Sequence, residues 1–412
     1  MSSHYPSVVQ RDITASLPAP NSDSSSGAPR LREPMMVVLH TGSNTGYAIE
    51  PLERAFLRMA QTLTQDDGMI HFAYRDLERG HPASLPADFP NVAALDIRSE
   101  SPQTIAEIGD YIAQHGIRTV FAFDAPVTLR SYGPMRRAGM RRLISYQGAP
   151  MSSLNRGLRL VAKRLEVRLR TSGPDHYIFE SEAMRRTAVS GRGIPERNTS
   201  VVYLGADLTK FVRRDDRYAH REFGIPEHRM LVVYSGHMEE RKGVRVLLRA
   251  VVELASRGID TIHLLVLGNQ AGEAETFASC YVGTPAENLI TFGGYRRDIA
   301  AIFGSADVGA IASTGWDSFT MSAVEMAACE LPLVVSDLQG LSETVDVGVT
   351  GFTFEPGNAT MLADRLQMLE SNPDLRSTMG KAARQRAHER HSLEQQVSAL
   401  AAVVHSAAYD QR

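Results

Sequence analysis

Residues 230–255 read MLVVYSGHMEERKGVRVLLRAVVELA. A nearly unbroken apolar run closes on Gly236, a polar loop ends in Lys242 and Gly243, and apolar residues recur at helical spacing from Val244 onward. This is the pattern of a buried strand, a turn and an amphipathic helix. A strand buried on both faces belongs to a parallel sheet, because crossover helices are what cover both faces. The loop leaves the C-terminal end of the strand, the edge at which open parallel sheets bind ligands.

The same unit recurs on either side. Downstream, IHLLVLG, LITFGG, VGAIAS and LPLVVSD are further strand candidates. Upstream of a polar passage from Lys210 to Arg229, MMVVL, MIHFAY, TVFAF, RLISY and HYIFE form a separate series. Such runs alternating with amphipathic stretches predict an α/β fold of two Rossmann-like, doubly wound domains facing across a cleft. Residues 1–34 are rich in Ser and Pro without sustained periodicity and are expected to form a disordered tail. The expected first domain covers 35–207 and the second 208–390, with a C-terminal helix over 391–412 placed to cross back onto the first.

A chain of 412 residues, 43% hydrophobic and 22% charged, has room for two or three ordinary globular domains. Its net charge of -3 and pI near 6.5 give no reason to expect a nucleic-acid partner. Cys280 and Cys329 form neither a C-x-x-C pair nor a ligand cluster, so neither a disulfide framework nor a structural zinc is expected. No apolar run approaches the ~18 residues of a membrane span, and the first residues lack a charged region followed by an apolar one. These features predict a cytoplasmic protein.

Three stretches carry candidate chemistry. In SGHMEERKG, His237, Arg241 and Lys242 lie at the start of the expected helix, where side-chain cations, backbone N–H groups and the helix dipole together suit a diphosphate. The plain alternative is a solvated Lys-Arg pair, although cations favour helix C-termini. In WDSFTMSAVE, residues 316–325, Asp317 precedes Glu325 by eight positions. A helix over 319–328 would set these carboxylates roughly 12 Å apart along its axis, a ligand-sized gap. Here the alternative is that Asp317 or Ser318 caps the helix and Glu325 lies on a solvated face. In HTGSNTGYA, Gly42 and Gly46 follow the first strand but match neither G-x-G-x-x-G nor the P-loop pattern.

Between Arg136 and Arg170 stand ten Arg or Lys residues and one acid, Glu166. Within LNRGLRLVAKRLEVRLR, residues 154–170, Leu154, Leu158, Val161, Leu165 and Leu169 share a helical stripe. This segment could hold an anionic membrane surface or a phosphorylated acceptor, or it could be a core-facing helix with a solvated basic side. Asp-x-Asp, His-rich clusters and Gly-x-Ser-x-Gly are all absent, so neither a catalytic metal site nor a hydrolase nucleophile elbow is expected.

Taken in order, these motifs resemble family 4 of the retaining glycosyltransferases, which have the GT-B fold. Gly236 precedes the Lys242-Gly243 pair by the family's spacing. ITFGGY, SADVGAI, DSFTMSAVEMAACELPLVVSD, GLSETV and VGVTGFTFEPGNATMLADRL then follow the family's succession. Upstream, IFESEAMRR and LGADLTKF resemble its strand-Ser signature and its entry to the second domain. Asp317 to Glu325 is similar to the family's E-x7-E motif, with Asp in the first position.

The resemblance implies that Glu325 binds the nucleotide ribose, and that Asp317 with the backbone of Ser318, Phe319, Thr320 and Met321 faces the transferred sugar. It implies that Lys242, helped by Arg241 and His237, neutralises the donor diphosphate. Tyr295 and Arg296 fall in the nucleobase-contacting loop, Gly46 joins the donor-binding set, and Gln147 stands where many members have a His beside the sugar. No cofactor or metal is implied; the nucleoside-diphosphate sugar is a substrate. Departures at Asp317, Ser318, Thr320, His237 and Gln147 point to an unusual donor or acceptor.

The leading expectation is a retaining, metal-independent glycosyltransferase acting on a small hydrophilic or natural-product acceptor held mainly by the first domain. A lipid-linked acceptor, reached through peripheral membrane contact of the basic segment 154–170, is the alternative within that class. Outside it stand a catalytically silent nucleotide-sugar binder and a GT-B epimerase or phosphorylase. The oligomeric state is left open.

Overall fold

The computed structural model describes residues 30–46, 49–151 and 155–409. The first half runs through β1 (Met35–Leu39), α1 (Glu50–Thr64), β2 (Ile70–Tyr74), β3 (Val92–Ala94), α2 (Pro102–Gln114) and β4 (Thr119–Phe123). It continues through α3 (Tyr132–Arg137), β5 (Arg142–Gln147), α4 (Gly157–Leu169), β6 (His176–Phe179), α5 (Glu182–Thr187) and β7 (Thr199–Val201). The second half holds α6 (Tyr218–Phe223), β8 (Met230–Ser235), α7 (Val244–Ser256), β9 (Ile262–Leu267), β10 (Ile290–Gly294), α8 (Ile299–Ser305) and β11 (Val308–Ile311). It closes with α9 (Met321–Ala328), β12 (Leu333–Ser336), β13 (Gly351–Phe354), α10 (Ala359–Ser371), α11 (Pro373–Arg390) and α12 (Leu393–Tyr409).

The strands form two parallel sheets, ordered β3-β2-β1-β4-β5-β6-β7 and β10-β9-β8-β11-β12-β13. In each, the chain steps outward from its first strand to one edge and then returns to build the other, so the order reverses beside β1 and beside β8. A reversal of this kind opens a crevice at the strand C-termini, because the loops on its two sides lead away from each other. These are the two Rossmann-like, doubly wound domains the alternating runs predict.

Central strands such as β1, β2, β4, β9 and β12 are buried along their whole length, matching sequences that are apolar apart from His71, Thr119, His263 and Ser336. Helix α1 starts with Pro51 in its first turn and two acids beside its N-terminus, and it buries Phe56, Met59 and Leu63 against the first sheet.

Two expectations are corrected here. The expected disordered tail over 1–34 does not reach that far: Leu31 is buried, its N–H donates to the Leu63 carbonyl, and the Pro34 carbonyl accepts from the Arg118 N–H. Residues 1–29 lie outside the described residues. The second correction concerns α4. The reading of a core-facing helix with a solvated basic side fails, because Leu158, Val161, Leu165 and Leu169 are exposed by 88%, 52%, 50% and 73%. Val167, on roughly the opposite side at 3.6 residues per turn, is the helix's buried residue. Leu154, expected on the same stripe, lies outside the described residues.

The two halves are joined twice. Ala206, between β7 and α6, donates its N–H to the His391 carbonyl at 2.9 Å and accepts from the Leu393 N–H at 2.9 Å. A Cβ on Gly205 would overlap the Ser392 carbonyl, so the two connecting segments touch along a line that only glycine permits. Beyond this contact α12 packs on α1 and β5, with Arg58 bonded to Glu394 and the Arg142 Nε donating to the Ala407 carbonyl. Among the described residues no helix is long and apolar enough to cross a membrane.

Candidate active site

The residues singled out in the second half converge on the C-terminal edge of its sheet. Strand β8 delivers Gly236, the loop after it ends in Lys242, and Gly243 turns the chain into α7 with φ of +70°. A Cβ on Gly243 would overlap the Ala312 carbonyl oxygen, so glycine here lets the loop lie directly on the end of β11. The neighbouring loop is tied to it: Thr314 N–H donates to the Arg241 carbonyl at 2.7 Å, and the Arg241 guanidinium lies 4.2 Å from the Trp316 ring centre. Glu239 holds the same guanidinium at 2.7 Å.

At the centre of this arrangement the Lys242 Nζ donates to both carboxylate oxygens of Asp317, at 3.0 Å each. Asp317 also accepts from the Ser313 hydroxyl at 2.6 Å and from the Ser318 N–H at 3.1 Å, while its own N–H donates to Gln339 Oε1. The lysine side chain is 14% exposed and the aspartate 5%. An ammonium beside a helix N-terminus is opposed by the dipole, and this buried carboxylate supplies the compensating charge.

Helix α9 begins at Met321, with Thr320 as its N-cap residue. Asp317 and Ser318 are therefore not its caps. Only the steps from Met321 to Glu325 are helical, a rise of about 6 Å rather than the 12 Å expected from a helix starting at Phe319. Glu325 is buried in the second turn, close enough to Cys329 that burial, reinforced by its charge, pushes that thiol up to about 12. Phe319 is packed away from solvent against Tyr203 and His391.

The first half presents the edge opposite. Asp124, after β4, takes φ of +50° and accepts from the Gly148 N–H at 2.8 Å and the Ala149 N–H at 3.2 Å. Burial raises its carboxyl to about 6 despite these bonds. Gln147 ends β5, buried, with its side-chain amide donating to the Ala125 carbonyl at 2.9 Å and to Ser145 Oγ at 2.5 Å. Glu180, after β6, accepts from the Tyr146 hydroxyl at 3.2 Å, and burial followed by the nearby Asp124 charge holds it well above the usual carboxylate range. His40, after β1, stacks on Phe123, and burial followed by the Arg98 charge lowers its pKa.

Contacts cross between the halves at this place. The Ser318 hydroxyl reaches Glu180 Oε2 at 3.2 Å and the Gly148 carbonyl at 3.3 Å. Glu343 accepts the Glu182 and Ala183 N–H groups at the start of α5, at 3.0 and 2.8 Å.

Lys242, Arg241, Asp317 and Ser318 thus form one cluster with Gln147 just beyond it, and Thr320 and Met321 start the adjoining helix. His237 is exposed on the same loop, its carbonyl accepting from the Tyr234 hydroxyl. Tyr295 is exposed after β10. Arg296 is not brought to the cluster: its guanidinium is bound to Glu222 and Asp298 over the Phe223 ring, and it holds Asp298 down at about 2. Gly46, with φ of +125°, lies in open space after β1. Asp124, Glu180, Ser313 and His40 were passed over in the sequence. Each is a polar residue just after a strand end, and that position is the signal that marks them.

Residues 215–386 match the family model described as glycosyl transferases group 1. D-inositol 3-phosphate glycosyltransferase of Corynebacterium kroppenstedtii is 30% identical over 219 residues, 51% of this chain and 48% of that protein. N-acetyl-alpha-D-glucosaminyl L-malate synthase of Bacillus anthracis is 25% identical over 204 residues, covering 50% and 52%. The chain thus spans about half the length of these curated relatives. The crystal structure of Anabaena HepE in complex with UDP superposes with a TM-score of 0.73 at 18% identity, covering 90% of this chain and all of that one. The fold is GT-B.

Proposed function

We propose that the protein is a retaining, metal-independent glycosyltransferase that moves a sugar from a nucleoside-diphosphate donor to an acceptor hydroxyl. The observation that carries this reading is the Lys242–Asp317–Ser313 cluster, set at the strand C-termini beside the order reversal of the second sheet and facing the polar edge of the first. The family match over 215–386 and the glycosyltransferase relatives support it from the sequence side.

In this reading the bond between the anomeric carbon and the diphosphate oxygen breaks, and the developing charge falls on the departing diphosphate. Lys242, the N–H groups opening α7 and the Arg241 guanidinium are the groups that meet that charge, already oriented before the reaction begins. The acceptor oxygen bonds to the same face of the sugar that the diphosphate leaves, and its proton passes to the leaving phosphate oxygen. Asp317 and the backbone of Ser318 to Met321 bind sugar hydroxyls, and Glu325 binds the ribose. The polar edge made by His40, Asp124 and Gln147 suits a hydrophilic acceptor.

The test is incubation with a panel of nucleoside-diphosphate sugars and acceptor extracts, following nucleotide release and the anomeric configuration of the product by NMR. Acceptor-dependent release with retention is expected. Tight donor binding with no nucleotide release under any acceptor sinks the transferase reading and leaves a nucleotide-sugar binder.

A further inference from the structure

We propose that α4 is a docking face for an anionic lipid bilayer. Its four exposed apolar side chains fall within an arc of roughly 80° at 3.6 residues per turn. They are four of the eleven large apolar side chains that are exposed among the described residues; of the other seven, all in the second half, Val347 and Val349 share one turn, Met368 lies on α10 and the rest stand singly in loops. An apolar stripe aimed away from the domain that carries it pays a hydration cost unless something apolar covers it, and scattered exposure elsewhere on the chain offers no comparable patch.

The identity of the partner follows from charge. Arg164 and Arg168 border one side of the stripe and Arg159 the other, all exposed. Glu166, the one acid in the helix, is bonded to Lys163 at 2.9 Å and to Arg192 at 2.8 Å, so its charge is already neutralised by the protein. The face therefore offers apolar side chains flanked by guanidinium groups, and the one acid beside them, Glu166, is already paired. That is the pattern of a helix lying in the interface, its aliphatic side chains below the headgroups and its cations level with lipid phosphates. A second copy of this chain would bring the same cations against themselves, so self-association through this face is opposed by its own charge.

The placement is also apt. Helix α4 follows β5 through the loop that begins at Gly148, whose carbonyl meets Ser318 across the cleft. The docking stands without the reaction assigned above, and the experiment reads binding alone.

The full chain is sedimented with vesicles of phosphatidylcholine, and with vesicles of phosphatidylcholine mixed with phosphatidylglycerol, at low and at high salt. Binding to the mixed vesicles that weakens with salt is expected. The Arg164→Gln/Arg168→Gln chain is expected to lose roughly fivefold in partitioning per cation removed. The Leu158→Ser/Leu165→Ser chain changes only exposed positions, which keeps its fold intact, and is expected to lose roughly tenfold. Unchanged circular dichroism checks that fold. Equal binding to both vesicle types, no sedimentation at low salt, or variants that bind like the parent overturns the proposal. So does light scattering that finds a dimer dispersed by the leucine changes, since the face then belongs to a second copy.

Discussion

Replacing Asp317 with Asn isolates the ion pair at the centre of the candidate site. At 3.0 Å and an effective dielectric near 20, the pair's gross attraction is about 5 kcal/mol, part of which offsets the cost of removing both charges from water. Truncating one partner of a buried pair costs about 3–5 kcal/mol, because the other charge is left uncompensated. Asparagine keeps the shape and still accepts from Ser313, so the expected loss is about 2–3 kcal/mol. Trp316, the chain's one tryptophan, adjoins the substitution and reports the urea transition by its fluorescence. The same change frees the Lys242 ammonium from a competitor for the diphosphate. UDP should then bind roughly tenfold more tightly to Asp317→Asn, while turnover should fall with the loss of the carboxylate proposed to face the sugar. An unchanged urea midpoint together with weakened UDP binding would refute the reasoning, since it would mean that Asp317 neither compensates Lys242 nor competes for it.

Three further outcomes are expected. Lys242→Ala should lower turnover by at least about 100-fold with acceptor affinity unchanged, and near-parental turnover removes Lys242 from the leaving-group role. Glu325→Ala should weaken nucleotide binding by about 1–3 kcal/mol in calorimetry, and an unaltered dissociation constant contradicts its assignment to the ribose. The third concerns pH. Asp124 titrates near 6 when folded against its ordinary 3.8, so the folded chain holds the proton more tightly and stability falls as pH rises across that window, by about 3 kcal/mol in all. Urea midpoints taken from pH 4 to 7 should slope less for Asp124→Asn than for the parent; matching slopes place the titration elsewhere.

Much of the fold was legible because a strand buried on both faces must be largely apolar, as in Met35–Leu39 and, His263 apart, Ile262–Leu267. Strands β3, β7 and β13 are the ones not anticipated: they are three or four residues long and partly exposed at sheet edges, so they carry no long buried run of the kind that marks a central strand. At the site, local patterns named Lys242 and Asp317 separately, but their pairing joins residues 75 positions apart and depends on where two loops land. The start of α9 was misplaced because Phe319 and Thr320 fit a helical pattern, whereas Phe319 is drawn toward Tyr203 and His391 instead. The stripe on α4 shows the same limit from another side. Periodicity reveals which face of a helix is apolar, and the neighbouring elements alone decide whether that face is covered.

The contact of Gly205 and Ala206 with the segment from His391 to Leu393 bears on how such a molecule moves. Two crossings laid side by side and bonded to each other act as one pin, so the lobes have a single shared pivot in place of two independent joints. Rotation about it leaves α12 seated on α1 and swings the edge carrying Lys242 as one rigid jaw. Opening it would break the bonds from Ser318 to Glu180 and from the start of α5 to Glu343, and would part Phe319 from Tyr203.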